Sequence, residues 1–164
     1  MNYLPNTYKK EHKGFTFIEI LVVVTIMAVL IVAGIVSFAS VNKRSRDARR
    51  KSDVEQIRSA LEMYRADEGH YPLTANPTQF VTITSDSTFT TALSSYMATI
   101  PEDPKNNDDY PYKIRLLDQR ISEYYGYCLT AFTEGAGSGS NSCGLTLPTS
   151  STTGESYTYG VKNP

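Results

Sequence analysis

The sequence of 164 residues lacks tryptophan and has only two histidines and two cysteines. No histidine lies near the cysteines, which disfavours a zinc site. No G-x-S-x-G elbow or phosphate-binding glycine loop occurs, so the sequence predicts no enzyme. Neither charge sign is in excess, since 16 basic and 17 acidic residues leave a net charge of -1. This composition fits one folded domain and excludes a disordered chain, a collagen-like repeat and a multi-span transporter.

Charge and proline are both scarce in the N-terminal third. Proline is absent between residues 5 and 72, and the 27 residues of Phe15–Val41 contain one charged side chain, Glu19. About 20 apolar residues cross a bilayer, so this segment is long enough to span one. A buried core helix of a small domain could not enclose it. A cleaved secretory signal, with a small-residue site at Ser37–Ala39, would have about half this apolar length. A plain anchor leaves Glu19 unexplained, because a charge in hydrocarbon costs at least about 2.5 kcal/mol and needs a partner.

The segment Lys13–Glu19, with the sequence KGFTFIE, resembles the class III signal of type IV pilins and type II secretion pseudopilins. The resemblance implies that a membrane peptidase cleaves between Gly14 and Phe15 and methylates the new amine. An α-amine has an ordinary pKa of about 8 and is mostly protonated at neutral pH. The Glu19 carboxylate of one subunit can therefore neutralise the Phe15 amine of its neighbour, and this pair would set the register of assembly.

The resemblance implies a structural subunit of a type IV pilus or of a type II secretion pseudopilus. Its partners would be like or unlike filament subunits, the prepilin peptidase, an inner-membrane assembly platform and membrane lipid. The chain would cross the inner membrane once, with its C-terminal domain exported into a periplasmic or cell-surface filament. The alternative is a minor or tip pilin-like protein that acts as a membrane-anchored adhesin or DNA receptor.

Charge is partitioned along the chain, with +2 over residues 1–14, +5 over residues 43–51 and -7 over residues 52–164. By the positive-inside rule, the larger charge after the span would keep the C-terminal part in the cytoplasm. The pilin-like leader implies export instead, and we follow the leader. The basic cluster at 43–51 has three interpretations: a belt facing lipid head groups, charge pairing with another subunit, or contact with nucleic acid.

Helical periodicity continues past the apolar segment, with Val54, Ile57, Leu61 and Tyr64 on one face. Gly69 suits a helix C-cap, so we predict one helix over residues 15–68, roughly 80 Å long. Three i, i+4 charge pairs are predicted on its solvent side: Arg49–Asp53, Lys51–Glu55 and Arg58–Glu62.

Many members of the pilin family carry a proline in the second half of the apolar segment, where the helix can unwind in the filament. This sequence has none there. Gly34 is the remaining candidate for such unwinding; a tolerated membrane glycine is the alternative.

The C-terminal part has the composition of a small exported domain. It predicts a helix over 88–97 after a Ser/Thr cap, strands over 110–117, 123–132 and 155–161, and a further short strand over 144–147. The fold class is α+β, with the long helix packed on a small antiparallel sheet, as in pilins. The predicted divisions are a leader (1–14), a transmembrane or filament-core helix (15–41), an amphipathic stem (42–69) and a globular domain (70–164).

Cys128 and Cys143 bracket a loop rich in glycine and serine, and their spacing resembles the C-terminal disulfide loop of many pilins. The resemblance therefore predicts a disulfide, and two free buried thiols are the alternative.

The segment from Ile100 to Asp109 resembles the Pro-x-Asp-Pro segment before the sheet of major pseudopilins, where a nearby loop binds calcium. Carboxylate and amide oxygens suit Ca²⁺. The predicted ligands are Asp103, Asn106, Asp108 and Asp109. A solvated turn without any cofactor is the alternative, because Asn and Asp are common turn formers.

Overall fold

A computed structural model describes residues 14–105, 109–135, 139–150 and 152–163, without the side chains of residues 36 and 37. The chain divides into two compact units, Met1–Ala39 and Ser40–Pro164. One helix, α1 (Phe17–Glu68), contributes to both units. In the second unit it is followed by β1 (Val81–Thr82), α2 (Ser87–Leu93), β2 (Lys113–Arg120), β3 (Glu123–Ala131) and β4 (Tyr159–Lys162).

The predicted long helix is confirmed. It begins two residues later than expected and ends at Glu68. Gly69 has a φ of +83°, a left-handed conformation that glycine adopts without steric cost. Its N–H donates to the Arg65 carbonyl at 2.9 Å, which closes the helix with an αL cap.

The sheet has the order β1-β2-β3-β4, and each neighbouring pair is antiparallel. The centre is the β2–β3 hairpin, in which Ile114 is paired with Leu129 and Leu116 with Tyr127. Burial alternates along the first part of β2, so one face of this strand lies in the core. The observed fold is therefore the predicted α+β arrangement of one long helix and a small antiparallel sheet.

The core forms where the second part of α1 packs on this sheet. The buried helix residues fall on the predicted face: Val54, Ile57, Ala60 and Leu61 are at most 1% exposed. Side chains of β2, β3 and α2 complete the core, together with Tyr71 and Ile83. Each fully buried aliphatic or aromatic side chain contributes about 1.5–3 kcal/mol relative to exposure, so this face fixes the helix on the sheet.

Several predicted boundaries were wrong for reasons of backbone chemistry. β2 begins at Lys113 instead of residue 110, because Pro111 has no N–H for the ladder. Tyr110 instead stacks on Phe132 in a second, smaller cluster. β4 begins at Tyr159 instead of residue 155, and residues 144–147 form no strand.

The short helix α2 ends at Leu93 and is capped by Asp86, whose carboxylate accepts from the N–H groups of Thr88 and Phe89. A Ser or Thr cap was predicted. The two-residue strand β1 was missed, since so short a strand leaves no periodic pattern.

Candidate assembly site

The predicted processing site lies at the first described residues of the chain. Gly14 and Phe15 are both exposed, and Phe15 retains 84% of its accessible surface. A Cβ built on Gly14 would meet no atom within 4 Å, so packing does not require glycine at this position. Lys13, the basic residue of the motif, lies outside the described residues.

Glu19 stands in the first turn of α1, where its carboxylate is held by Thr16. The Thr16 N–H donates to Glu19 Oε2 at 3.0 Å, and the Thr16 hydroxyl donates to the same oxygen at 2.9 Å. In return the Glu19 N–H donates to Thr16 Oγ1 at 3.3 Å. This reciprocal arrangement is a capping box, which satisfies two of the free N–H groups at a helix start.

Sequence reasoning missed the role of Thr16. The signal was present, because Thr16-Phe17-Ile18-Glu19 fits the Ser/Thr-x-x-Glu pattern of a capping box. The carboxylate also lies favourably at the positive end of the helix dipole. Glu19 thus has partners within its own chain, while its carboxylate remains exposed to a second molecule.

The first part of α1 is apolar on all sides and is not buried. Among the large apolar side chains that the structure describes there, up to Val41, exposed fractions run from 48% at Val22 to 84% at Phe17. Of the described helices, this is the one long and apolar enough to cross a membrane. The helix continues without interruption through Gly34, so unwinding there remains a prediction about the filament.

Part of the basic cluster at 43–51 belongs to a buried cluster of ion pairs in the globular unit. Three cations and three carboxylates meet there, and we call them the stem ion cluster: Arg46, Asp47, Arg50, Asp103, Lys105 and Glu134. Three come from α1, two from the loop before β2 and one from the segment after β3. The cluster therefore fastens two loops of the domain to the helix.

Arg50 is the centre of this cluster and is fully buried. Its Nε and Nη2 donate to the two oxygens of Asp103 at 2.6 and 3.0 Å. Its Nη1 donates to Asp47 Oδ1 and to Glu134 Oε1, both at 2.9 Å. Burial opposes the charged form, but the bonds to Asp103 and then to Glu134 and Asp47 prevail and raise the pKa of Arg50. The guanidinium is therefore a permanent internal cation.

Glu134 and Asp47 connect the segment after β3 to the helix. Arg46 donates from Nε and Nη2 to Glu134 at 2.8 and 2.7 Å, which is a bidentate pair. The N–H groups of Glu134 and Gly135 both donate to Asp47 at 2.9 Å. Bonds from Arg46 outweigh desolvation, and with Arg50 and Lys105 they lower the pKa of Glu134 to about 2.

Further along the helix, two more acidic residues bond to tyrosines of the sheet side. Asp53 accepts from the Tyr112 hydroxyl at 2.8 Å, and Glu62 accepts from Tyr71 and Tyr127 at 2.9 and 3.2 Å. Burial is the main cause that raises the pKa of Tyr71 to about 12. These hydrogen bonds join α1 to the rest of the domain at two further positions along the helix, Asp53 and Glu62.

The predicted surface charge pairs are only partly present. Arg49 lies 4.0 Å from Asp53, but Asp53 is buried rather than solvent-facing. Arg58 pairs with Glu55 at 3.3 Å instead of with Glu62. Lys51 lies over the ring of Tyr159, a cation–π contact, and shows no ion pair with Glu55. The i, i+4 rule failed where tyrosines gave one member of the pair another partner: Tyr71 and Tyr127 bind Glu62, and Tyr159 lies under Lys51.

The predicted disulfide between Cys128 and Cys143 is present. Cys128 is fully buried in β3, and the Cα atoms are 5.6 Å apart. The disulfide fixes the segment at 141–143, which also bridges to Gly160 of β4. The two free thiols of the alternative interpretation are excluded.

Asp103, one of the predicted calcium ligands, does not fit a metal ion. Both of its carboxylate oxygens accept from Arg50, and Oδ1 also accepts from the Lys105 N–H at 2.9 Å. Asn106 and Asp108 lie outside the described residues, while the Asp109 carbonyl accepts from the Ser150 hydroxyl. No group of three or more His, Cys, Asp or Glu side chains in the described ranges is arranged to hold a metal.

Two protein-family models match the chain. The family described as type II secretion system (T2SS), protein G, matches residues 38–122. The prokaryotic N-terminal methylation motif matches residues 9–35. No solved structure matches the chain.

Curated relatives are named type II secretion system core protein G. That of Klebsiella michiganensis is 33% identical over 106 residues, covering 61% of this chain and 72% of the relative. That of Escherichia coli K12 is 33% identical over 64 residues, covering 39% and 44%. That of Pseudomonas aeruginosa is 35% identical over 66 residues, covering 40% and 46%.

Proposed function

The chain belongs to the type II secretion system protein G family, and we propose that it is the structural subunit of a type II secretion pseudopilus. The observation that supports this most directly is the exposed apolar start of α1, most of which lies within the methylation-motif match at residues 9–35 and which leads into the protein G match at residues 38–122. A surface this apolar needs lipid or sister helices around it. Family membership favours the pseudopilus over the type IV pilus, and a filament subunit over a tip adhesin or DNA receptor.

In this proposal the subunit is stored in the inner membrane by its apolar helix, with the C-terminal domain exported. Prepilin peptidase cleaves between Gly14 and Phe15 and methylates the amine of Phe15. An assembly platform then stacks the subunits, of this or related kinds, into a filament. The role is mechanical, so it assigns no catalytic residue to the chain.

The pairing step uses the exposed carboxylate of Glu19. In the isolated subunit Glu19 Oε2 accepts two hydrogen bonds from Thr16. In the filament it would accept the protonated Phe15 amine of a neighbour. The Thr16 donors are uncharged, whereas the neighbour's ammonium adds a full positive charge beside the carboxylate, so the amine is the better partner once lipid is displaced.

The basic residues of the cluster at 43–51 have different surroundings. Arg46 and Arg50 belong to the stem ion cluster, and Arg49 and Lys51 contact Asp53 and Tyr159. Lys43 and Arg44 remain exposed. We therefore assign Lys43 and Arg44 to lipid head groups in the stored state, at about 1 kcal/mol for each basic residue near an anionic surface.

Mass spectrometry of the native protein tests the processing step. An N-terminus at methylated Phe15 is expected, and any other N-terminus would contradict the proposal.

Replacing Glu19 with Ala tests the pairing step, with Thr25→Val as the matched control. The Thr25 hydroxyl donates to the Val22 carbonyl of its own helix, so its loss should not affect a neighbour. Leaving the Phe15 amine unpaired costs at least about 2.5 kcal/mol, so filament yield should fall by at least about 60-fold while membrane insertion persists. Sedimentation of filaments sheared from cells measures this, and normal assembly by the Glu19→Ala variant would refute the pairing step.

A further inference from the structure

We propose that the Arg50 guanidinium is the built-in cation of the globular domain, so that this domain needs no calcium ion at Asp103. Three carboxylates from three separate chain segments converge on one buried group. Asp47 belongs to α1, Asp103 to the loop before β2, and Glu134 to the segment after β3. A structural calcium ion likewise holds several carboxylate and carbonyl oxygens around one centre.

The guanidinium has the geometry for this role. Its planar fork supplies donors in several directions, and four of the bonds that it makes to carboxylate oxygens are between 2.6 and 3.0 Å. The side chain has no exposed surface, and its guanidinium carbon, Cζ, lies 5.8 Å from the centre of the Phe132 ring. A buried charge is tolerated only when its partners satisfy it in this way.

The charges of the cluster also oppose a metal ion. Among the described residues of the stem ion cluster, three carboxylates are matched by Arg46, Arg50 and Lys105, so the cluster has no net negative charge to attract a divalent cation. An ion bound to Asp103 would lie within a few ångströms of the Arg50 guanidinium, and buried like charges at such distances repel strongly. The Lys105 N–H also occupies Asp103 Oδ1, so metal binding would have to break a backbone contact.

Thermal unfolding of the full chain in detergent micelles tests the proposal, followed by near-ultraviolet circular dichroism of the tyrosines. Wild-type protein is compared in excess EGTA and in calcium at about 10 mM, which is about 10 to 100 times the dissociation constants of extracellular calcium modules. A site occupied at that excess would raise the midpoint by about 3–10 °C. We expect a difference below about 1 °C, and a calcium-dependent rise of several degrees would overturn the proposal.

Variants of Arg50 test the other half of the proposal. Arg50→Met keeps the length of the side chain but removes its charge, and it should lower the midpoint by about 6–20 °C. Arg50→Lys keeps one positive charge but not the planar fork, so its midpoint should fall by less than that of Arg50→Met. A side chain that served only in apolar packing would not show this difference. Arg58→Met is the matched control, because Arg58 pairs with exposed Glu55 on the same helix and should lose less than about 2 °C.

The controls also keep the test decisive. If Arg50→Met fails to fold while Arg58→Met folds normally, the central role of Arg50 is supported, and Arg50→Lys gives the measurable loss. If Arg50→Met and Arg58→Met unfold at the same temperature, Arg50 does not fasten the domain and the proposal is wrong.

Discussion

Protonation of Glu134 should loosen the attachment of the domain to its helix. Its pKa is lowered from 4.5 to about 2, first by hydrogen bonds from Arg46 and then by Arg50 and Lys105. The unfolded chain loses these partners, so between about pH 4.5 and pH 2 the unfolded state binds a proton that the folded state does not. The stabilisation is therefore complete at neutral pH and is lost as the pH falls through this interval.

The size of the effect follows from the shift. A change from 4.5 to about 2 corresponds to about 3 kcal/mol if the pairs were fully shielded from solvent. Arg46 is 29% exposed, so water screens the bidentate pair on one side. We therefore expect about 1–2 kcal/mol of acid-sensitive stability from Glu134.

Urea unfolding of wild type and Glu134→Gln, at neutral pH and at about pH 2.5, measures this contribution. Other carboxylates titrate in both proteins, so their effects cancel in the difference. That difference should shrink by about 1–2 kcal/mol on acidification. Glu55→Gln, which alters an exposed pair with Arg58, is the control. A Glu134→Gln difference that is equal at both pH values would refute the reasoning.

Two further substitutions test local features. Ile121 has a φ of +60° at the tip of the β2–β3 hairpin, and its side chain is fully exposed. Ile121→Gly should therefore stabilise the domain by about 0.5–1 kcal/mol in urea unfolding, because glycine adopts this conformation without strain. Ser122→Gly is the control and should not stabilise the domain; equal effects of the two substitutions would contradict the strain argument. The Cys128–Cys143 disulfide closes a separation of 15 residues, so the double alanine variant should lose about 3 kcal/mol of unfolding free energy. A reductant should lower the stability of the wild type but not of the variant. If the fully reduced wild type is as stable as the oxidised one, this estimate is wrong.

The fold was largely predictable because its main signals are repetitive. One uninterrupted helical pattern with a glycine cap defined α1, and Val54, Ile57 and Leu61 marked the face that is buried. The three longer strands were predicted near their observed positions, but most of their ends were not, β1 was missed and the strand expected over 144–147 is absent. Pro111 interrupts hydrogen bonding within an aromatic segment that otherwise favours a strand, and pattern alone does not register a missing N–H.

The stem ion cluster was missed although part of its signal was visible. Arg50 lies four residues before Val54 and seven before Ile57, so it falls on the buried face of α1. Its charge and its basic neighbours favoured a surface belt instead. The partners Asp103 and Glu134 lie 53 and 84 residues away. Only tertiary structure decides which distant carboxylates reach a buried cation, and so the sequence could not supply the pairing.

The Thr16–Glu19 contact changes how the isolated charge in the apolar segment should be understood. An unpaired carboxylate would penalise storage of the subunit in lipid, yet the Thr16 N–H and hydroxyl already bind it. The gain on assembly is then not the whole cost of an unpaired charge. It is the difference between two hydrogen bonds from the uncharged Thr16 donors to the carboxylate and an ion pair with a neighbour's ammonium, which is a few kcal/mol at most. A free-energy difference of that size favours the correct register without making incorrect contacts irreversible. Most of the free energy that holds subunits together would then come from burial of the exposed apolar surface of α1.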